Sequence, residues 1–118
     1  MRIVLILAAL AVAGAAEAAP FACPVHHGKA LDHVTVFDGP PKDMAPLRPE
    51  DHETGRKLRQ TWDIAELTKI GRQVHVECAY KGGATQAIKV PKTAKVCSQD
   101  LQRLDSKGNY RLLSFGCR

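Results

Sequence analysis

The sequence predicts a mainly β fold: a small antiparallel sheet or a partly open, barrel-like domain of about five to six strands, held by disulfides. Three observations lead to this fold class. Short segments alternate apolar and polar residues with a period of two, which is typical of half-buried strands. Turn-forming glycine, proline, asparagine and aspartate separate these segments. Four cysteines follow an apolar leader of the kind that directs export, so we expect them to be oxidised.

The clearest alternation covers residues 72–80, which place on one face Val74, Val76, Cys78 and Tyr80. Gly82 and Gly83 then supply the positive φ angles of a tight hairpin turn. Residues 84–90 return as a second strand, and Pro91 ends it because proline cannot donate a ladder hydrogen bond. The sequence therefore predicts a central hairpin in this region.

Three further strands are predicted. Residues 33–37 are short and β-branched. Residues 61–64 alternate so that Trp62 and Ile64 point inward, which favours a core position for the tryptophan beside the disulfides. Residues 110–115 run toward the last cysteine.

The remaining segments are less regular. Residues 96–104 fit either a strand or a short helix, and the turn-rich residues 105–109 favour a hairpin between them and the last strand. Residues 42–55 hold two prolines and many charges without an apolar period, which predicts a long surface loop with room for one helical turn.

The first residues predict export. An uninterrupted apolar run at 3–13 follows a positive charge, and Ala16-Glu17-Ala18 offers a cleavage motif. We expect residues 1–18 to be a secretory signal peptide cut after Ala18, because the run is too short to cross a bilayer. Residues 19–118 then form a single domain with no transmembrane segment, in the periplasm or secreted.

The cysteines allow three pairings of two disulfides. A hairpin centred on Lys107 would place Cys97 opposite Cys117, but directly cross-strand disulfides are geometrically demanding. We therefore expect Cys78 to pair with Cys97, which would fix the central hairpin to the next segment, and Cys23 to pair with Cys117.

The chain has a formal net charge of +5 but only 5% aromatic residues. Nucleic-acid platforms need aromatics interleaved with Arg and Lys, so nucleic acid is not an expected partner. In the cell envelope the positive charge would favour an acidic protein or an anionic envelope ligand, and it is equally compatible with a solvated surface.

Three histidines near the expected mature N-terminus, His26, His27 and His33, are the candidate metal ligands, because imidazoles suit zinc, copper and nickel. Only a weak site is expected. Cys23 should be oxidised and lost as a ligand, and adjacent histidines on a strand point to opposite faces. The charged stretch Glu50-Asp51-His52-Glu53 is interpreted as a solvated face.

No catalytic or cofactor motif is found. The serines after the leader, Ser98, Ser106 and Ser114, do not lie in a G-x-S-x-G setting. The sequence holds no C-x-x-C redox pair and no glycine-rich phosphate loop. We therefore predict a protein that is not an enzyme and uses no cofactor.

The order of several motifs resembles a family of small, exported, uncharacterised proteobacterial proteins. The matching residues are Asp38-Gly39-Pro40-Pro41, Leu47-Arg48-Pro49-Glu50, Thr61-Trp62, Cys78-Ala79-Tyr80-Lys81-Gly82, Cys97 and Cys117. The resemblance spans residues 34–117 and implies an envelope location and a β fold, but no activity. The histidine-containing segment 23–27 departs from the family pattern.

These observations predict a non-enzymatic periplasmic module that binds an envelope partner. Its candidate recognition loop is Asp38, Gly39, Pro40 and Pro41, because rigid prolines reduce the entropy lost on binding; a stiff exit from the strand is the alternative. Two other functions stay open. One is a metal or anionic-ligand binder that uses the histidines and the basic surface. The other is an inhibitor of an envelope-directed hydrolase such as lysozyme, although the net positive charge would repel basic lysozymes.

Overall fold

The computed structural model describes residues 21–118. The expected signal peptide, residues 1–18, lies outside the described residues, so cleavage after Ala18 and the resulting single-domain boundary stay predictions. Within the described part, no helix has the length and apolar character needed to span a membrane.

Within residues 21–118, seven strands form two antiparallel sheets, which confirms the mainly β fold class. The strands are β1 (Leu31–Asp38), β2 (Glu50–Thr54), β3 (Lys57–Asp63), β4 (Val74–Tyr80), β5 (Thr85–Lys89), β6 (Val96–Arg103) and β7 (Tyr110–Cys117). The first sheet has the order β1-β4-β5 and the second has the order β2-β3-β6-β7. A 3₁₀ turn (Pro41–Asp43) follows β1, and a short helix α1 (Ala65–Lys69) connects β3 to β4.

One hydrophobic core is shared by both sheets. The predicted inward face of β4 is buried along its length, with Val76 and Cys78 fully inaccessible to solvent. Val36 of β1 and Ile64, just after β3, are also fully buried. The period-two alternation therefore located the core-facing side of these strands correctly.

Trp62 lies in this core, as predicted. Its side chain is 4% exposed, and the indole Nε1–H donates a 3.1 Å hydrogen bond to the carbonyl oxygen of Leu47. The ring meets that of Phe115 edge to face, with 6.3 Å between the centroids. Cys97 is its partner on β6, so the tryptophan adjoins a disulfide and also fixes the loop that contains Leu47.

The region 42–55 differs from its prediction as a long loop, because β2 occupies its second half. All five residues of β2 are exposed, and Glu50 pairs with Thr61 while Thr54 pairs with Lys57. An edge strand that is exposed to solvent on both faces has no apolar period, so its hydrogen bonds to β3 define it. Residues 96–104, predicted ambiguously, contain strand β6.

The expected disulfide pairing was wrong. Cys23 pairs with Cys78, and Cys97 pairs with Cys117. The second pair is the one that a hairpin centred on Lys107 would form, since β6 and β7 place Cys97 directly opposite Cys117. Within the described residues there is no free cysteine.

The turn between β6 and β7 depends on Asp105. Its carboxylate accepts hydrogen bonds from the Lys107 backbone N–H at 2.8 Å and from the Asn109 backbone N–H and side-chain amide at 3.3 and 2.6 Å. The side-chain hydrogen bond from Asn109 is the main reason that the pKa of Asp105 lies below its ordinary value of 3.8, and the Lys107 amide adds to it.

We expect Asp105→Ala to loosen this turn, because two backbone N–H groups lose their acceptor. Amide hydrogen exchange at Lys107 and Asn109 should speed up, while exchange at Val76 in the core should not change. Since the pKa of Asp105 is lowered by folding, its stabilising effect is present at neutral pH and is lost as the pH falls below about 3.8. Unchanged exchange at both turn amides would contradict the assignment.

Candidate recognition surface

Several loops meet at one end of the domain. The register places Asp38 at the end of β1 opposite Val74 at the start of β4, and Ile64 donates its N–H to the Lys95 carbonyl. Loop 38–47, helix α1 with residues 70–73, and turn 90–95 therefore lie together. We call this region the α1 end.

Loop 38–47 is held by backbone hydrogen bonds. The Asp38 N–H donates to the Ala45 carbonyl at 3.0 Å, and the Leu47 N–H donates to the Val36 carbonyl at 2.8 Å. Pro41 opens the 3₁₀ turn, a position where its fixed φ suits a helical start and its missing N–H is not needed. The loop is thus ordered before any partner arrives.

An ion pair joins this loop to the segment that follows α1. Arg72 Nε lies 2.9 Å from Asp38 Oδ1, and the Gly39 N–H donates to the Gln73 carbonyl at 2.9 Å. The hydrogen bond to the Asp38 carboxylate, with its negative charge, raises the pKa of Arg72 above its ordinary value. Gly39 has φ +90°, a backbone conformation that favours glycine.

Two large apolar side chains project from these joined segments into solvent. Met44 is 82% exposed and Ile70 is 73% exposed. Met44 ends the 3₁₀ turn at φ 53° and ψ 44°, in the left-handed region that side-chain-bearing residues adopt rarely. The thioether is exposed, and the rigid loop holds the Met44 backbone in this rarely adopted conformation. Such a side chain is suited to contact with an apolar pocket of a partner.

The predicted recognition residues therefore hold the backbone of this surface in place. Asp38 binds Arg72 and Gly39 makes the turn, while Pro40 and Pro41 stiffen the loop. Their role in recognition stays a prediction. Met44 and Ile70 were not predicted from the sequence, because a single apolar residue in a polar segment gives no periodic pattern. The signal available was their position beside turn residues, where burial is uncommon.

The three candidate metal ligands are not brought together. His26 stacks on Tyr80 with 5.0 Å between ring centroids, and His27 meets His26 edge to face at the same distance. His33 on β1 instead hydrogen-bonds to Asp32 at 3.1 Å. Within residues 21–118, no group of three or more His, Cys, Asp or Glu side chains is arranged to hold a metal ion.

The acidic residues of β2 contact their neighbours. Asp51 accepts a 2.9 Å hydrogen bond from Gln60, and Glu53 lies 3.5 Å from Arg103. These are exposed surface contacts of modest strength, in agreement with a solvated face.

The fold and this surface define a small, disulfide-bonded β domain in which the preorganised α1 end is exposed to solvent. Residues 25–118 match the family described as type VI secretion system Tli immunity protein. Because the match covers most of the chain, the protein belongs to this family. Neither a curated protein nor a solved structure matches the chain.

Proposed function

We propose that this chain is a periplasmic immunity protein that binds a toxin delivered by type VI secretion and blocks it without catalysis. The observation that carries the proposal is the family match over residues 25–118. The β fold with two disulfides supports an oxidising compartment such as the periplasm. The preorganised α1 end supports binding as the mode of action.

The polar groups of the domain support binding over catalysis. Ser114 Oγ donates to the Asp100 carboxylate at 3.3 Å, an arrangement among the described residues that resembles a nucleophile with a base. Arg59 holds that carboxylate through hydrogen bonds of 2.9 and 3.2 Å, and this contact lowers the pKa of Asp100 below its ordinary value. A carboxylate with a lowered pKa is a poor general base at neutral pH.

A co-culture experiment tests the function. Cells of the source bacterium that lack this protein should be killed on contact with parental cells, and periplasmic expression of the chain should restore their survival. The control donors are parental cells with an inactive type VI apparatus, which should kill neither strain. Equal survival of the deletion strain beside active and inactive donors would refute the proposal.

The same assay tests the α1 end. Met44→Asp places a charge within the proposed contact, so protection should fall to near that of the deletion strain, as for other buried interface anchors. Fold stability should change little, because the side chain is 82% exposed.

Val25→Asp is the matched control. Val25 is 93% exposed and lies near the opposite end, where Tyr80 donates its hydroxyl to the Pro24 carbonyl at 2.5 Å. This variant should protect fully. Full protection by Met44→Asp at equal periplasmic abundance would place the contact elsewhere.

A further inference from the structure

A cavity of about 410 Å³ opens between α1 and turn 90–95. Its lining combines three lysines with small apolar and hydroxyl-bearing residues; the lysines are Lys69, Lys92 and Lys95. Ala94 forms part of the floor and is 6% exposed, whereas the three lysines are exposed. The result is an open concave site with a positive rim, which we call the lysine cavity.

Little negative charge balances this rim. Lys92 and Lys95 form no ion pair with any described residue, and Lys69 makes only a 3.6 Å contact with Glu66, in which both side chains are about three-quarters exposed or more. The nearby Asp63 carboxylate accepts a 3.2 Å hydrogen bond from the Ala65 N–H at the start of α1. The lysines of turn 90–95 therefore have charge available for a ligand.

The backbone that carries these lysines is fixed. The Ala94 N–H donates to the Pro91 carbonyl at 3.0 Å and closes the turn, and the Lys95 N–H donates to the Arg118 carbonyl at 2.9 Å. The Lys95 carbonyl in turn accepts the Ile64 N–H at 3.0 Å. Because the turn is bonded on both sides, binding would order only the lysine side chains.

We propose that the lysine cavity receives an acidic, projecting segment of the toxin, so that the toxin surface facing the α1 end is negatively charged around an apolar contact. This inference rests on the proposed function and names the chemistry of its partner. Ile70 follows Lys69 by one residue, so the lysine rim adjoins one of the two exposed apolar side chains of the recognition surface. Lysines around a concave site attract carboxylates and accelerate the encounter.

The shape of the site favours a protein over a membrane. Stable attachment to a lipid surface by this kind of structure uses a long amphipathic helix or several inserted apolar side chains. Here α1 has only five residues, and the positive charge surrounds a hollow. A hollow of this size fits one or two protruding side chains of a folded partner.

The test compares three double variants in the co-culture assay, of which the two glutamate variants have equal charge. Lys92→Glu/Lys95→Glu should lose most protection, because two attractive charges become repulsive at the contact. Lys57→Glu/Lys107→Glu changes the net charge by the same amount at the opposite end and should protect fully. Lys92→Gln/Lys95→Gln should give intermediate protection, since it removes the attraction without adding repulsion. Periplasmic abundance and thermal melting of each variant establish that it is folded.

The outcomes separate the two levels of the proposal. If the wild-type chain does not protect, the proposed function fails and the inference fails with it. If the wild type protects and the Lys92/Lys95 glutamate variant protects equally, the lysine cavity is not the contact and only the inference is overturned. Equal losses of protection in the two glutamate variants would show a general charge effect and would also overturn the inference. Binding of the wild type to phosphatidylglycerol vesicles, lost only in the Lys92/Lys95 variant while protection remains, would reassign the cavity to lipid.

Discussion

Replacing Trp62 with alanine should remove about 3–5 kcal/mol from the free energy of unfolding, a large part of the 5–15 kcal/mol typical of a domain this size. Three effects act together. The core loses its largest side chain, Phe115 loses its edge-to-face partner, and the Leu47 carbonyl loses the indole donor at 3.1 Å. Urea unfolding followed by circular dichroism measures the loss.

Trp62→Phe separates packing from the hydrogen bond. Phenylalanine fills most of the same volume but cannot donate to Leu47, so we expect a smaller loss of about 1–2 kcal/mol. The loop that carries Met44 should then exchange its amide hydrogens faster than in the wild type. A loss below about 1 kcal/mol for Trp62→Ala would mean that the indole is not an integral part of the core.

The two disulfides should contribute unequally to stability. Cys23 and Cys78 are 55 residues apart, whereas Cys97 and Cys117 are 20 apart. A crosslink that closes a longer loop removes more conformational entropy from the unfolded chain, which gives about 4 kcal/mol for the first bond and about 3 kcal/mol for the second. Urea unfolding of the Cys23→Ala/Cys78→Ala and Cys97→Ala/Cys117→Ala variants tests this order.

The two disulfide variants differ in the burial of the cysteines that they remove. The first removes the fully buried Cys78 and the partly buried Cys23, whereas the second removes Cys97 and Cys117, which are both fully buried. A larger loss for the Cys97–Cys117 pair would contradict the entropic order. It would indicate that native packing around β6 and β7 outweighs loop closure.

Local patterns predicted the parts of the fold in which one face of a strand is buried. Val74 and Val76 alternate with polar neighbours because β4 lies between β1 and β5 and faces the core. β2 was not predicted because it is defined by its hydrogen bonds to β3, and this pairing requires no apolar period in the sequence. The helix α1 was also not predicted, since it is only five residues long and buries none of them fully.

Only the rigid loop that supports the candidate site was predictable from the sequence. Asp38, Gly39, Pro40 and Pro41 carry recognisable turn chemistry, so their rigidity could be read from residue type. The exposure of Met44 and the meeting of Lys69 with Lys92 and Lys95 depend on how α1 and turn 90–95 pack, which a single sequence does not encode locally. The predicted disulfide pairing was wrong because directly cross-strand disulfides are geometrically demanding, and the register of β6 and β7 was therefore given too little weight. This hairpin does form such a disulfide.

The short segment before β1 has a practical consequence for labelling. Phe21 exchanges backbone hydrogen bonds of 3.1 and 2.9 Å with Cys117, so residue 21 lies beside the end of β7. Because Arg118 also bonds to Lys95, a bulky group attached at residue 21 or residue 118 would lie close to the α1 end and would obstruct the proposed contact. The turn around Gly108, which is exposed at the opposite end of β6 and β7, is the better position for an affinity tag or fluorophore.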